Sequence, residues 1–341
     1  MKKYLKLFII ICLASALVCM PKVSAANKAK PMIVIAGGEA FGIKLFSEGV
    51  IVTKTESFIC EGKSVCPAEY AGIKVNDIII GADNISINTN KDFKNIIENS
   101  EGKSIEIKLR RNDKEIITNL IPLKNENDKY KAGMWIKDSA AGLGTITFYS
   151  EELNSFCGLG HGICETDTGK LIPLSFGDVE YANVTSVTMS KNGNVGTLNG
   201  YFTDNDIGTA KLNNENGIYG TLKNPVNKTE YIEIADSDET EKGSAYILTT
   251  LSGETPKKYD VKIKKIKKHN DQYNLVFEIT DEELICICGG IVQGMSGSPI
   301  IQNGKIVGAV THVFVDDVTT GYGIFAEKMY DEMLNVSQNV E

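Results

Sequence analysis

Residues 289–312 have the sequence GGIVQGMSGSPIIQNGKIVGAVTH, in which a serine lies at the centre of a Gly-x-Ser-Gly turn. Two apolar runs follow it, separated by a turn signal at residues 302–305, and this pattern is typical of a β-hairpin. A serine hydroxyl becomes a nucleophile when a base removes its proton and backbone amides receive the oxyanion. The glycines beside Ser296 allow a sharp, exposed turn, and the N–H groups of Gly294 and Ser296 can then point to one place. The stretch predicts a nucleophile on a rigid strand pair; a glycine-rich turn between two core strands is the alternative.

The chain contains three histidines, and each is a candidate for the base. His161 lies in the glycine-rich turn GLGHGI at residues 158–163, where neighbouring side chains give it little cover. Such a histidine can face a cleft and titrate near neutrality. His312 ends an apolar strand and is expected to satisfy a local hydrogen bond, and His269 follows a lysine run at a solvated strand end. We therefore predict His161 as the base.

The sequence does not identify a single carboxylate that would orient the imidazole. Asp281 lies fifteen residues before Ser296. The run Thr280-Asp281-Glu282-Glu283 also fits a capping box that opens a short helix. Asp204 and Asp206 are rivals. Spacing alone does not choose between them.

The first 25 residues differ in character from the rest of the chain. Lysines at positions 2, 3 and 6 precede an apolar run, and small residues follow up to Ala25. This pattern predicts that residues 1–25 are a signal peptide or a membrane anchor. The formal charge is −8, and the four lysines of this segment leave −12 on the remainder. A body this acidic argues against nucleic acid as a partner. The signal-type segment ahead of it predicts that the protein is exported and works outside the cytosol.

Six cysteines follow the signal region as local pairs: Cys60/Cys66, Cys157/Cys164 and Cys286/Cys288. Paired cysteines in an exported protein suggest disulfides, but a Cys-x-Cys pair cannot readily bond to itself. A structural zinc held by the last four cysteines is a second possibility. Free or variably oxidised thiols are favoured. The sequence indicates no cofactor and no catalytic metal.

Residues 32–124 mix strand and helix patterns. A helix is expected over 92–99, and strands are expected over 104–109 and 115–121 around a turn. The motifs Phe41-Gly42-Ile43 and AGI…NDII at residues 71–79 resemble those of PDZ domains. The resemblance implies that Phe41, Gly42 and Ile43 form the carboxylate-binding loop and that a peptide strand adds beside it. The alternative is a domain that docks only on its neighbour.

Residues 130–335 contain many short strand patterns separated by turns, which predicts a barrel or a sandwich. This region resembles the peptidase domain of the stage IV sporulation protein B family, which is also preceded by a hydrophobic segment and a PDZ domain. The resemblance rests on DSAAGLGTITFY at 138–149, LGH at 159–161, residues 289–301, and GAVTHVFV at 308–315. It implies a mixed fold, in which a small α/β PDZ domain is followed by an all-β chymotrypsin-like double barrel.

Carried onto the matching positions, the resemblance implies that His161 is the base, Asp281 its orienter and Ser296 the nucleophile. Its members cleave themselves and a membrane-bound regulator of an intramembrane protease during sporulation. The expected partners are therefore the membrane-bound regulator, the chain itself as a substrate, and a PDZ peptide ligand that can belong to the same chain. The expected location is outside the cytosol, close to the membrane around the developing spore. Two other functions stay open: a quality-control protease of the high-temperature-requirement type, and a non-catalytic PDZ adaptor that binds membrane proteins.

Overall fold

The computed structural model describes residues 31–166, 168–268 and 274–338. The predicted signal peptide or anchor at 1–25 and His269 lie outside these residues. Within them, no helix is both long enough and apolar enough to cross a membrane. The helices are α1 (Pro67–Tyr70), α2 (Asn90–Glu98), α3 (Glu282–Cys288) and α4 (Ala326–Gln338), with a short 3₁₀ helix at Ser237–Glu239.

Strands make up most of the described chain. In order they are β1 (Ile33–Ala36), β2 (Ala40–Thr55), β3 (Phe58–Cys60), β4 (Lys63–Val65), β5 (Ile78–Ala82), β6 (Ile85–Ser86), β7 (Ile105–Arg111), β8 (Lys114–Leu120), β9 (Leu123–Lys124), β10 (Tyr130–Lys131), β11 (Met134–Ser150), β12 (Ser155–Gly158), β13 (Leu174–Thr188), β14 (Thr197–Asn214), β15 (Gly217–Leu222), β16 (Tyr231–Ile234), β17 (Gly243–Thr249), β18 (Lys257–Ile266), β19 (Leu275–Ile279), β20 (Pro299–Gln302), β21 (Lys305–Phe314) and β22 (Asp317–Phe325).

The first barrel closes through six antiparallel strands. In hydrogen-bonding order they are β11, β2, β13, β14, β15 and β12, and β12 pairs again with β11. Phe41, Leu45, Tyr149 and Phe156 fill its interior and are fully buried. Closure leaves no unpaired edge among these strands, and the large side chains make the interior a packed core.

The second barrel closes in the same way through β17, β18, β19, β22, β21 and β20, with β20 returning to β17. Phe277, Leu275 and Ile300 lie in its buried core. Strands β1 and β16 connect the two barrels, because β1 pairs with β11 and with β16, and β16 pairs with β21. This arrangement confirms the predicted chymotrypsin-like double barrel.

The PDZ domain has a separate core. It combines the second half of β2 with β5, β7, β8 and helix α2, and its buried residues include Val52, Phe93 and Leu109. Helix α2 confirms the helix predicted at 92–99 and begins with a capping box between Thr89 and Asp92.

The two longest strands of this region are shared between the PDZ domain and the first barrel. The second half of β2 (51–55) pairs with residues 134–137 of β11 beside the PDZ core, and its first half (40–46) pairs with residues 139–145 in the barrel. We call this pair the β2–β11 ribbon. Residues 40–46 therefore pair within the first barrel, although the sequence prediction places the PDZ domain at 32–124. Their pairing partners in β11 and β13 are more distant in the sequence than the motif shows.

Candidate active site

The nucleophile turn is built on two glycines with left-handed backbone. Gly294 has a φ of +99° and Gly297 a φ of +96°, which side chains other than glycine adopt rarely. A Cβ atom on Gly297 would lie 1.9 Å from the carbonyl oxygen of Thr145. The turn therefore requires glycine here, both for its backbone angles and for its contact with the first barrel. Ser296 between them is half-buried.

Strand β11 of the first barrel clamps this turn. The N–H of Thr145 donates to the carbonyl of Ser296 at 2.9 Å, and its Oγ1 donates to the carbonyl of Gly294 at 2.7 Å. Thr147 Oγ1 donates to the carbonyl of Gly297 at 2.8 Å, and both threonine side chains are fully buried. Because three carbonyls of the turn are held by one strand, the nucleophile has a fixed place between the barrels.

The predicted oxyanion amides lie in the same turn. The N–H of Gly297 donates to Val310, and that of Met295 donates to Val292. Within the described parts of the chain, no hydrogen bond engages the N–H of Gly294 or of Ser296. These two donors are available to a substrate oxyanion, as an acyl-transfer site requires.

His161 lies in the loop that follows β12. Leu159 and Gly160 ahead of it both have left-handed backbone, and its Nδ1 lies 2.9 Å from the carbonyl oxygen of Gly162. Donation from Nδ1 to that carbonyl assigns the tautomer in which Nε2 is free to accept a proton. Burial lowers the pKa of His161, and the Gly162 carbonyl opposes this only in part. The neutral form that a general base needs is therefore favoured.

The base loop is fixed to the first barrel by one amide side chain. Asn213 on β14 accepts from the N–H of Ile163 at 2.8 Å and donates to the carbonyls of Ile163 and Ile172, both at 2.9 Å. Because its amide binds both Ile163 and Ile172, Asn213 holds the two ends of the segment 163–172 together. This role depends on the neighbouring strand, so the local sequence pattern does not reveal it.

The segment Thr311-His312 joins the base to the nucleophile. Ser296 Oγ donates to the carbonyl of Thr311 at 2.7 Å. The ring centroids of His312 and His161 are 4.7 Å apart, and their planes are inclined by 38°. A Cβ atom on Gly160 would lie 3.0 Å from Thr311, so the base loop also packs on this segment. The structure thus brings His161 and Ser296 to the two sides of one two-residue segment.

Asp281 is the N-cap of α3. Its Oδ1 accepts from the N–H of Leu284 at 2.9 Å, and its Oδ2 accepts from the N–H of Asp260 at 3.2 Å. No hydrogen bond joins it to an imidazole within the described residues. The cap is one residue later than the expected Thr280. The capping role is thus observed, and the triad role of Asp281 stays a prediction. Of its rivals, Asp206 pairs with Lys223, and Asp204 is exposed.

The six cysteines after the signal region are free thiols in the structure. Cys157 and Cys288 are buried in different hydrophobic clusters. Burial raises the pKa of Cys157 well above its ordinary value and that of Cys288 to about 12, so both are protonated at neutral pH. In the described ranges, no group of three or more His, Cys, Asp or Glu side chains could hold a metal ion.

The prediction that a loop at residues 41–43 binds a peptide carboxylate is wrong. Phe41, Gly42 and Ile43 are buried at the start of β2, where β11 pairs with one side and β13 with the other. A strand paired on both sides has no edge for a peptide to join. The ring of Phe202 also covers Gly42, since a Cβ there would lie 2.1 Å from it.

The PDZ domain has a different groove, between α2 and the start of β11. Its volume is about 250 Å³. Apolar side chains of Phe93, Ile97, Met134 and Ile136 line it, with Lys94 and Lys131 among the polar residues. Ala132, just before β11, also lines this groove. The lining residues of β11 follow the last strands of the domain in the sequence, so the motifs at 41–43 and 71–79 do not include them.

Two six-stranded barrels, a serine turn clamped between them and a histidine loop packed against the same segment define a chymotrypsin-like serine peptidase that also carries a PDZ domain. The family model for SpoIVB peptidase S55 matches residues 128–330, and a PDZ domain model matches residues 58–111. The chain belongs to the SpoIVB peptidase S55 family and is a serine endopeptidase.

The solved structures that match the chain share little sequence with it. The PDZ domain of the SdrC-like protein from Listeria monocytogenes is 18% identical, with 26% of this chain and 87% of that one covered and a TM-score of 0.22. The active form of the Rv3671c protease from M. tuberculosis is 14% identical, with 58% and 74% covered and a TM-score of 0.31. No curated protein matches the chain significantly.

Proposed function

We propose that the protein is an exported signalling peptidase that cleaves itself and a membrane-bound regulator of an intramembrane protease during sporulation. Family membership supports this proposal, as do the acidic composition and the export-type pattern of residues 1–25. The observation that carries the catalytic part is the nucleophile turn, which Thr145 and Thr147 fix to β11. Its Ser296 hydroxyl bonds the segment that packs on His161.

The proposed reaction is acyl transfer from the substrate to the enzyme and then to water. Ser296 Oγ attacks the scissile carbonyl carbon while its proton passes to Nε2 of His161. The N–H groups of Gly294 and Ser296 stabilise the oxyanion, and the imidazolium returns the proton to the leaving amine. Water then attacks the acyl-enzyme ester while His161 removes its proton. The imidazolium returns that proton to Ser296 Oγ, and the acyl product leaves. The Ser296 hydroxyl must first rotate away from the Thr311 carbonyl, which accepts its hydrogen bond in the free enzyme.

The test of this function compares wild type with Ser296→Ala. Wild type is expected to react with a fluorophosphonate at Ser296 and to release new N-termini, which mass spectrometry of the full chain identifies. Ser296→Ala should show neither product while its unfolding temperature stays the same. Equal self-cleavage in both proteins would exclude Ser296 as the nucleophile.

For the PDZ domain, we propose that an extended peptide of the substrate adds to β11 at residues 134–137. Those residues pair with β2 on one side, and the first three of them, 134–136, line the α2 groove. The peptide would extend the sheet through main-chain hydrogen bonds, and its apolar side chains would enter the groove. The ligand can be the chain itself or the membrane protein.

The groove is tested with labelled peptides that span the mapped self-cleavage sites. Lys94 lines the groove, whereas Lys91 on the same helix does not. We expect Lys94→Glu to weaken binding of peptides that carry a free carboxylate, as measured by fluorescence anisotropy. Lys91→Glu makes the same charge change outside the groove and should leave the affinity as it was. Equal effects of both variants would point to general electrostatics instead of a groove.

A further inference from the structure

We propose that His312 is a positioning residue for His161, and that it holds the plane of the base by ring packing. The inference rests on the proposed roles of His161 and Ser296. In a Ser-His-Asp triad this task belongs to a carboxylate bound to Nδ1 of the histidine. Here Nδ1 of His161 faces the carbonyl of Gly162, which sets the tautomer. A carbonyl of the same loop moves with the ring, however, and cannot anchor it to the nucleophile's barrel.

The contact between the two imidazoles has the geometry of a packed aromatic pair. Their centroids lie 4.7 Å apart with an inclination of 38°, within the range in which rings attract in tilted or offset arrangements. His161 belongs to the first barrel and His312 to β21 of the second. The ring pair therefore ties the base to the barrel that carries the nucleophile.

An irregularity in β21 places His312 there. The register between β21 and β22 shifts between Val310 and Val313, so Thr311 and His312 lie in a bulge. Bulges occur frequently beside active sites, because they change the direction in which a side chain points. In this bulge, the carbonyl of Thr311 accepts from Ser296 while the next side chain contacts His161. One short segment therefore sets the relative position of both reacting groups.

The reaction also requires His312 to stay uncharged. When the Oγ–H bond of Ser296 breaks and the Oγ–C bond to the substrate forms, the proton moves to Nε2 of His161 and makes it a cation. A charged His312 beside it would repel this cation. The His312 side chain keeps an exposed face, and its partial burial, together with the proximity of His161, lowers its pKa to about 4. A neutral ring can then pack against the imidazolium through its π face.

The experiment uses full-length His312→Ala and His312→Phe. The readouts are the rate of fluorophosphonate labelling of Ser296, and kcat and KM for a p-nitrophenyl ester. We expect His312→Ala to lower kcat and the labelling rate roughly 10- to 100-fold, because misplacement of a catalytic group by about 1 Å costs this much. KM should change little, since the ring acts through His161. His312→Phe keeps a ring without a titrating nitrogen and should restore most of the rate.

Phe314→Ala is the matched control. It removes another aromatic pair of the same hairpin, since Phe314 stacks on Tyr322 at 4.3 Å, and it should label at the wild-type rate. Thermal unfolding of each variant separates misfolding from a catalytic loss, and His312→Phe tests the inference even if His312→Ala unfolds.

Two results would overturn the inference while leaving the proposed function intact: wild-type labelling by folded His312→Ala, or a rate for folded His312→Phe as low as that of His312→Ala. Failure of the wild type to label at Ser296 would instead remove the proposed function, and this inference with it.

Discussion

At the scale of single residues, the environment of His161 determines how the enzyme responds to pH. Burial moves its pKa below the ordinary value of 6.5. The ring that faces it, His312, is itself neutral above a pH of about 4. Catalysis needs neutral His161, so activity should persist below pH 6.5 and fall only as the pH drops through the lowered pKa. The acid limb of kcat/KM against pH measures this. An acid limb above 6.5 would contradict it and indicate a carboxylate partner, which raises the pKa of a histidine.

Substitutions of Asp281 distinguish its two candidate roles, which are to cap α3 and to orient His161. Asparagine caps helices about as well as aspartate, whereas alanine costs about 1 kcal/mol. If Asp281 acts only as the cap of α3, Asp281→Asn keeps wild-type activity and stability, and Asp281→Ala loses stability alone. If it orients His161, Asp281→Asn should lose roughly 10⁴-fold in kcat, as in a Ser-His-Asp triad. The structure favours the first outcome, because backbone N–H groups bind both carboxylate oxygens. Ester hydrolysis and thermal unfolding of both variants decide between the two roles.

At the scale of elements, the nucleophile turn depends on strand β11. Thr145→Val keeps the shape of the side chain but leaves the buried carbonyl of Gly294 without its 2.7 Å hydrogen bond. An unsatisfied buried acceptor costs about 1–3 kcal/mol. We expect the free energy of unfolding to fall by that amount and kcat to fall as well, because one of the three hydrogen bonds that fix the turn to β11 is lost. Thr53→Val is the control, since Thr53 makes a similar but longer bond, 3.5 Å, to Trp135 in the PDZ part of the β2–β11 ribbon. Loss of kcat in both variants would argue against a specific clamp.

The sequence predicts elements formed by neighbouring residues, whereas it does not predict features that depend on pairing between distant strands. The Gly-x-Ser-Gly turn, its hairpin and helix α2 follow from residues a few positions apart, so their patterns were sufficient. The PDZ groove and the true place of Phe41 depend on pairing between β2 and β11, which are separated by the whole PDZ domain. A three-residue motif such as Phe41-Gly42-Ile43 fits a barrel strand as well as a binding loop. For His312 the sequence predicts a local hydrogen bond and not the contact with His161, because that contact arises from a bulge and from the meeting of two barrels.

At the scale of the whole molecule, the β2–β11 ribbon offers a physical connection between the peptide groove and the base. Residues 134–136 form one wall of the groove, and the same strand continues through Lys137 to the Thr145 clamp. Between them, Lys137 Nζ lies 2.6 Å from Oε1 of Glu165, a buried carboxylate in the loop that carries His161. A peptide that shifts this end of β11 would therefore also displace the loop of the base.

This connection predicts that peptide binding in the groove changes the rate of ester hydrolysis and that the effect depends on the ion pair. Lys137→Met leaves the buried charge of Glu165 without this partner, which is costly, whereas Glu165→Gln removes the charge itself. We expect Lys137→Met to lower basal kcat more than Glu165→Gln does, and the double variant to recover part of the loss. Such recovery is the signature of direct coupling in a double-mutant cycle. The response of kcat to saturating peptide should be smaller in all three variants than in wild type. Additive losses of kcat with an unchanged response to peptide would show that the Lys137–Glu165 pair does not couple the groove to the base. The PDZ domain would then act only by holding the substrate near Ser296.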